Sequence, residues 1–215
     1  IFKVFHFMNL FLDTISPIPK FYIINNNSIQ SIQILNKNSN KISDNIVQVF
    51  LKMQRKFKLN DKIDNLIVCT GPGSYTAMRI GIAFMYGISI TKKIPLIGIS
   101  GLELLKFATP KQNHKQTLFL IKSSNDQNFF SIYSKKNNSY LLNKINNIND
   151  KNIFNKKYSY KIANSEIDSS IIEDLNISEY KIISFSEIVN SNLEKILLKK
   201  LNKTISPIYI EESKF

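Results

Sequence analysis

The sequence of 215 residues has few of the side chains that hold metals or act as nucleophiles, with one cysteine and two histidines. A single cysteine excludes a disulfide within the chain, and Cys69 lies in the apolar run NLIVCT, which is typical of a buried thiol in a reducing compartment. His6 and His114 each stand without another histidine or cysteine nearby. We therefore predict no metal site and no catalytic residue in this chain.

The sequence also lacks a long hydrophobic run. The apolar stretch from Ile80 to Ile90 reaches about half of the roughly 20 residues that a membrane-spanning helix needs. The first residues contain a short apolar run that Asp13 interrupts, without the cleavage site of a secretion signal. We expect a cytoplasmic protein with no membrane partner, in which residues 1–7 form an extension before the fold begins at Met8.

Acidic residues are scarce relative to basic ones. The chain has 16 Asp and Glu against 29 Lys and Arg, a formal net charge of +13, which favours binding to nucleic acid or another polyanion. The lysines are scattered among many asparagines and isoleucines, however, which indicates a general bias in composition. Direct contact with nucleic acid and a purely compositional charge are both left open.

The N-terminal half alternates strands and helices. The segments NLFLDT, KFYIINN and SIQSIQIL read as strands, and apolar residues at helical spacing predict a helix over 44–57. Strand NLIVCT, a helix over 74–92, strand PLIGIS and the short helix GLELLKFA follow. This βαβα order predicts an α/β lobe with parallel strand pairing over residues 8–110.

The C-terminal half is less regular. TLFLIK and FFSIYS read as strands, residues 135–165 are rich in Asn, Lys and Ser, and a helical pattern runs from Ser186 to Leu201. We expect a smaller, divergent lobe over residues 111–215. No internal repeat is visible in the sequence.

A glycine-rich segment, GPGSYTAMRIG, joins a predicted strand to a predicted helix, a place where backbone N–H groups often bind phosphate. It lacks the lysine of a P-loop, and Thr76 occupies the third glycine position of the dinucleotide-binding pattern. Two interpretations remain. Gly71 and Gly73 form a tight turn into a helix capped by Ser74, or Asp13, Gly71, Gly73, Ser74 and Thr76 form a residual nucleotide site.

The helix after this loop is apolar on every face, and Arg79 is its only charge between Tyr75 and Ile90. Such a helix must be covered on both sides, so it is either a core helix or one shared between the core and a partner. Glycines at 81 and 87 permit close approach of another backbone. The candidate interface residues on the two long helices are Ile46, Val49, Phe50, Met53, Arg79, Ala83, Phe84 and Gly87.

The segment GPGSYTAMRIGIAFMYGISITKKIPLIGISGLELL resembles the central motif of the TsaB (YeaZ) family, in which a GPGSFTGLRIG-like loop leads into a helix and a following strand. The opening NLFLDT and the closing ISPIYI also resemble that family's first strand and last segment. The resemblance therefore runs from about Met8 to the C-terminus, and its long middle motif is the specific part.

The resemblance implies an α/β, actin-like fold of the sugar kinase and heat-shock ATPase superfamily, with two lobes, the second reduced. It implies a non-catalytic scaffold or activating subunit in the synthesis of threonylcarbamoyladenosine beside the tRNA anticodon. The implied partners are a TsaD-like catalytic subunit, which holds a metal through two histidines one helical turn apart, and a TsaE-like ATPase. Transfer RNA is the substrate of the complex, and ATP or ADP belongs to the complex rather than to this chain.

The family's dimer contacts come from the two long helices, so the resemblance leaves a homodimer or a monomer open for the free chain. The sequence departs from the family at Ala77, usually glycine, and at Glu211, where an arginine is common; the family's Asp-Ala-Arg triplet is absent after TLFLIK. The alternative function is an actin-like small-molecule kinase or ATPase that uses Asp13 and the GPGS loop.

Overall fold

The structure is a computed structural model. It describes residues 8–25, 28–35, 41–59, 63–110, 117–124, 127–134, 139–144, 158–174, 177, 179–198 and 205–209. These residues form two five-stranded sheets with helices on their faces.

The first sheet and its helices come from the N-terminal half of the chain. Its strands are β1 (Met8–Asp13), β2 (Lys20–Asn25), β3 (Ser28–Gln33), β4 (Ile63–Cys69) and β5 (Leu96–Ile99), in the spatial order β3-β2-β1-β4-β5. The first three strands pair antiparallel, whereas β4 pairs parallel with both β1 and β5. The helices are α1 (Ile42–Phe57), α2 (Tyr75–Lys92) and α3 (Gly101–Ala108).

The second sheet repeats this topology. Its strands are β6 (Thr117–Lys122), β7 (Asn128–Ser134), β8 (Ser139–Lys144), β9 (Tyr160–Ala163) and β10 (Lys181–Ile182), in the spatial order β8-β7-β6-β9-β10. Strands β6 to β8 pair antiparallel, and β9 pairs parallel with β6 and β10. The described helices of this half are α4 (Ser169–Asp174), α5 (Phe185–Ser191) and α6 (Leu193–Leu197). This repeat is one of topology, whereas the prediction of no internal repeat concerned the sequence alone.

One short sequence trace of the repeat exists. After β5, the Ser100 side chain accepts a hydrogen bond from the backbone N–H of Glu103, and the Glu103 carboxylate accepts one from the backbone N–H of Ser100. After β10, Ser184 and Glu187 form the same reciprocal capping box. Both boxes follow an isoleucine and precede two apolar residues, so the two lobes begin the helix after their fifth strand in the same way.

Strand alternation divides the apolar residues between two sides of each sheet. In β1, Leu10 and Leu12 pack with α1 and α2 on the outer side of the first sheet, whereas Phe11 points to the inner side. In β6, Phe119 and Ile121 point inward and join the cluster that contains Phe11. The inner faces of both sheets, together with α3 and α5, therefore share one hydrophobic core.

The predicted long helices are confirmed, with the predicted ranges 44–57 and 74–92 observed as Ile42–Phe57 and Tyr75–Lys92. The C-terminal half was predicted less well. Strands β8, β9 and β10 and helix α4 were missed, and the described part of the predicted helix over 186–201 consists of two short helices, α5 and α6. These elements are short or polar, so their periodicity is weak.

The last described residues, 205–209, return from the second half to the first sheet, and we call them the returning segment. The backbone N–H of Ile208 donates to the carbonyl of Thr70 at 2.7 Å, and Ile205 packs with the outer core of the first sheet. The first sheet lies within the predicted lobe 8–110 and the second within the predicted lobe 111–215, but the returning segment belongs to the second range and packs on the first sheet. The division of the chain into these two lobes stays a prediction.

Candidate functional site

The glycine-rich loop begins where the returning segment crosses the end of β4. Gly71 has a φ of +123°, a conformation that side chains strongly disfavour. A Cβ atom at this position would lie 2.7 Å from the Met78 sulfur and 2.9 Å from the Ile208 carbonyl oxygen. The glycine is therefore required by close packing between helix α2 and the returning segment.

The next part of the loop lies against the second lobe. A Cβ atom on Gly73 would lie 2.9 Å from the Ser123 hydroxyl oxygen and 3.0 Å from a methyl carbon of Ile15. The backbone N–H of Ser74 donates to the Ser123 hydroxyl at 3.2 Å, and the N–H of Ser124 donates to the carbonyl of Ile15 at 3.0 Å. The loop thus forms part of the contact between the two lobes.

Asp13, at the end of β1, is buried and accepts hydrogen bonds from its own turn. One carboxylate oxygen accepts from the backbone N–H groups of Ile15 and Ser16, at 2.9 and 3.0 Å, and the other accepts from the Ser16 hydroxyl at 2.6 Å. Burial raises the pKa of Asp13, and the three hydrogen bonds only partly offset that desolvation. The geometry is that of a carboxylate that shapes a turn.

The residual nucleotide set predicted from the sequence does not converge on one opening. Ser74 and Thr76 line a cleft of about 260 Å³ at the N-terminal ends of α1 and α2, with Lys41, Ser43 and Ser124 among its other lining residues. Asp13, Gly71 and Gly73 are not among the residues that line it. Ser74 is the N-cap residue of α2, as predicted, although its side chain makes no capping hydrogen bond.

Three of the predicted interface residues lie in the core. Ile46, Phe50 and Met53 are 3%, 7% and 0% exposed, and they pack on the outer side of the first sheet. Their assignment to a partner surface is therefore corrected, because the apolar stripe of an amphipathic helix faces its own core first. Val49 is half-buried at the edge of this stripe.

On α2, the predicted residues separate by face. Arg79, Ala83 and Gly87 are exposed, whereas Phe84 is half-buried and meets Phe50 edge to face, with ring centres 5.3 Å apart. A Cβ atom on Gly87 would meet no atom within 4 Å, so this glycine stands open.

Gly81 differs from Gly87, because a Cβ atom there would lie 2.8 Å from the Thr14 methyl carbon. The close approach predicted for this glycine is thus made within the chain, to the side chain of Thr14 directly after β1.

Several exposed apolar residues on these helices were not predicted from the sequence. Val47 and Leu51 on α1 are 52% and 43% exposed, and Tyr86 and Ile90 on α2 are 46% and 65% exposed. The available signal was apolar residues off the main stripe of α1, at the i and i+4 positions 47 and 51. We call Val47, Leu51, Ala83, Tyr86, Gly87 and Ile90 the outer face.

Some expectations concern residues outside the described part of the chain, namely those on His6, His114 and Glu211. Within the described ranges, no three His, Cys, Asp or Glu residues are grouped in a way that could hold a metal ion. Among the helices of those ranges, none combines the length and apolar character needed to cross a membrane.

Comparison with known proteins places this arrangement in a family. The family model described as "TsaD: tRNA N6-adenosine threonylcarbamoyltransferase" matches residues 32–200. The chain is 34% identical over 115 residues to the tRNA threonylcarbamoyladenosine biosynthesis protein TsaB of Buchnera aphidicola subsp. Schizaphis graminum (strain Sg). That match covers 47% of this chain and 54% of the relative, so it spans about half of the relative's length.

A second TsaB protein, from Buchnera aphidicola subsp. Acyrthosiphon pisum (strain APS), is 24% identical over 164 residues, which cover 75% of this chain and 69% of the relative. Among solved structures, a protein described as similar to peptidase YEAZ from Pseudomonas aeruginosa superposes with a TM-score of 0.63 at 13% identity, over 95% of this chain and all of that one. YeaZ from Pseudomonas aeruginosa superposes with a TM-score of 0.61 at 12% identity, with the same coverage.

The structural matches confirm the predicted α/β, actin-like fold. Its two sheets share one strand topology. The central motif, the sequence relatives and the fold agree with one another. The chain therefore belongs to the TsaB (YeaZ) family.

Proposed function

We propose that this chain is a non-catalytic scaffold or activating subunit in the synthesis of threonylcarbamoyladenosine in tRNA, and that it binds a TsaD-like catalytic subunit. The observation that carries the proposal is the outer face on α1 and α2. The two Buchnera relatives, named as biosynthesis proteins for this modified nucleoside, support the process in which we place it.

The outer face has the features of a helix-pair interface. The contact between Phe50 and Phe84 sets α1 and α2 side by side, and helical spacing then puts Leu51 and Gly87 beside the outer seam between the helices. Single exposed apolar residues are ordinary, but several on adjacent helices favour a protein partner. The open position at Gly87 allows a partner helix to approach closely.

A scaffold role also agrees with how the polar groups near the loop are used. An actin-like kinase or ATPase would need the Asp13 carboxylate and loop N–H groups for metal-bound phosphates. Asp13 instead accepts three hydrogen bonds from its own turn, and the N–H of Ser74 bonds to Ser123. We therefore favour the scaffold over the small-molecule kinase or ATPase.

The remaining partners follow from the same proposal. We place a TsaE-like ATPase and the tRNA substrate with the assembled complex in the cytoplasm, and we assign ATP or ADP to the complex rather than to this chain. For the free chain, a homodimer and a monomer both stay open.

The test is calorimetric titration of the chain with the TsaD-like subunit of the same organism. Leu51→Asp and Gly87→Leu should each weaken association by roughly tenfold or more, which corresponds to about 1.4 kcal/mol. The melting temperature should not fall for Gly87→Leu, because leucine is the better helix former at an open helical position. Ile182→Asp on β10 is the matched control, since Ile182 is 46% exposed in the other lobe.

Equal affinities for wild type, Leu51→Asp and Gly87→Leu would contradict the proposal. The kinase or ATPase alternative has its own readout in ATP turnover by the isolated chain, which we expect to be absent. Turnover that Asp13→Asn abolishes would establish the alternative instead.

A further inference from the structure

A guanidinium group that contacts two tyrosines stands at the N-terminal end of the exposed side of α2. The Arg79 guanidinium carbon lies 3.8 Å from the ring centre of Tyr75 and 5.5 Å from that of Tyr209. Its Nε–H donates to the Tyr209 hydroxyl at 2.8 Å, and the two rings are 4.7 Å apart. We call these three residues the Arg79 cluster.

The returning segment brings Tyr209 to this place. Beside it, the N–H of Ile208 is bonded to the Thr70 carbonyl, and Ile205 lies close against Gly98 of β5. Arg79 and Tyr209 are 130 positions apart in the sequence. The cluster is thus built by two distant parts of the chain, and the backbone of the returning segment fixes the position of its second tyrosine.

The cluster remains accessible and leaves donors unused. Tyr75 and Tyr209 are 50% and 42% exposed, and Arg79 is exposed beside them. The Nε–H bonds to Tyr209 and the guanidinium also interacts with the Tyr75 side chain, so the outward N–H groups of this planar group are the ones left for a carboxylate. No carboxylate of the described residues forms an ion pair with Arg79.

The surroundings indicate which kind of anion fits. Arg79 is the only charged residue of α2 between Tyr75 and Ile90, and its exposed neighbours toward the C-terminus of the helix are Ala83, Tyr86 and Ile90. A phosphate-tracking surface usually gathers several cations, whereas one cation at the end of an apolar surface is typical of a protein interface. The cluster is continuous along α2 with the outer face.

We infer that the Arg79 cluster binds an aspartate or glutamate carboxylate of the TsaD-like partner, as a charged end to the apolar outer face. The inference rests on the proposed function and adds the chemistry that the partner must present. Tyr75 and Tyr209 act as positioning residues, because they hold the guanidinium plane through stacking and one hydrogen bond. The returning segment thereby becomes part of the partner interface.

The test is the affinity for the TsaD-like subunit as a function of NaCl concentration. Arg79→Ala should weaken binding by about 10- to 100-fold at low salt and should flatten its salt dependence, because an ion pair is lost. Arg79→Lys should recover only part of the affinity, since it keeps the charge and loses the planar guanidinium. Tyr209→Phe should cause a smaller loss, because it removes the hydrogen bond and keeps the ring.

Lys181→Ala is the control for net charge, as Lys181 is exposed on β10. Melting temperatures of all variants should stay at the wild-type value, which separates binding from folding. If Arg79→Ala binds the partner as wild type does while Leu51→Asp does not, this inference is wrong and the proposed function stands. If both bind as wild type does, the proposed function is wrong. Loss of tRNA affinity with unchanged partner affinity would assign the cluster to RNA and overturn the inference.

Discussion

The two lobes have the same sheet topology and differ in what lies on the outer side of each sheet. The first sheet is covered by α1 and α2, which are 16 and 18 residues long and carry the outer face. The second sheet packs its outer side with short segments that include α4, a helix of six residues. The repeated sheet is therefore a common frame, and the two lobes differ in the long helices that carry the outer face, which we propose as the partner surface.

The lobes also differ at the ends of their first strands. In the first lobe, Asp13 is buried in its own turn, and burial raises its pKa. In the second, Lys122 ends β6 and pairs with Asp168 just before α4, and the hydrogen bond from Lys122 lowers the pKa of Asp168. Two carboxyl groups near the junction of the lobes should therefore respond to pH in opposite directions.

The largest expected effect on stability is at Gly71, in the loop after β4, which is the fourth strand of the first lobe. Gly71→Ala should lower the free energy of unfolding by roughly 2–5 kcal/mol, because it combines a disfavoured φ with contacts below 3 Å to Met78 and Ile208. Chemical denaturation measures the loss. The corresponding loop after β9 depends on side-chain hydrogen bonds of Asn164 instead.

Gly87→Ala is the control for that substitution, and it should leave stability unchanged or raise it by up to about 1 kcal/mol, as an alanine at an open helical position does. Equal stability of the two alanine variants would show that the returning segment does not pack against the loop.

The second effect is at Asp13. Asp13→Ala should lower the free energy of unfolding by about 1–3 kcal/mol, since it leaves the N–H groups of Ile15 and Ser16 without their acceptor. Asp13→Asn should cost less, because the amide oxygen can still accept from both groups. A similar loss for both variants would contradict a turn-forming role.

The contribution of Asp13 to the free energy of unfolding should depend on pH. Its pKa in the folded protein is raised above the ordinary 3.8, so its stabilising contribution is fully present below that pH and is lost as the pH rises through the folded pKa. The stability of wild type relative to Asp13→Asn should therefore decrease with rising pH, which denaturation at several pH values measures.

The smallest effect is at Asp168. Its pKa is lowered, so its contribution is present above the ordinary 3.8 and is lost as the pH falls through the folded pKa, the opposite of Asp13. Because the Asp168 side chain is 42% exposed, Asp168→Asn should cost less than about 1 kcal/mol, and added salt should reduce the difference. Unfolding curves at low and high NaCl check this, and a salt-independent loss would contradict it.

The parts of the fold that the sequence predicted are those with strong periodicity. The bounds of α1 and α2 came within two residues of the prediction, because apolar spacing is regular there. The same regularity led to a wrong prediction of interface residues. Ile46, Phe50 and Met53 repeat at helical spacing because they pack in the core. The exposed Val47 and Leu51 show only as departures from that pattern.

Other features depend on contacts between distant positions, which a single sequence does not display. The loop glycines were visible, but the partners that require them, Ile208 for Gly71 and Ser123 for Gly73, lie far along the chain. The hydrogen bond from Arg79 to the Tyr209 hydroxyl is equally remote in the sequence. The repeat between lobes survives in the topology and in the two capping boxes, at Ser100 and Ser184, while most of its side chains differ.

The returning segment has a consequence for synthesis on the ribosome, where N-terminal domains usually fold first and alone. The end of β4 and Gly98 of β5 are covered by residues 205–209, which are translated after both sheets. The first lobe therefore cannot reach its final packing during its own translation. The end of β4 and Gly98 of β5 thus stay uncovered until residues 205–209 have been translated.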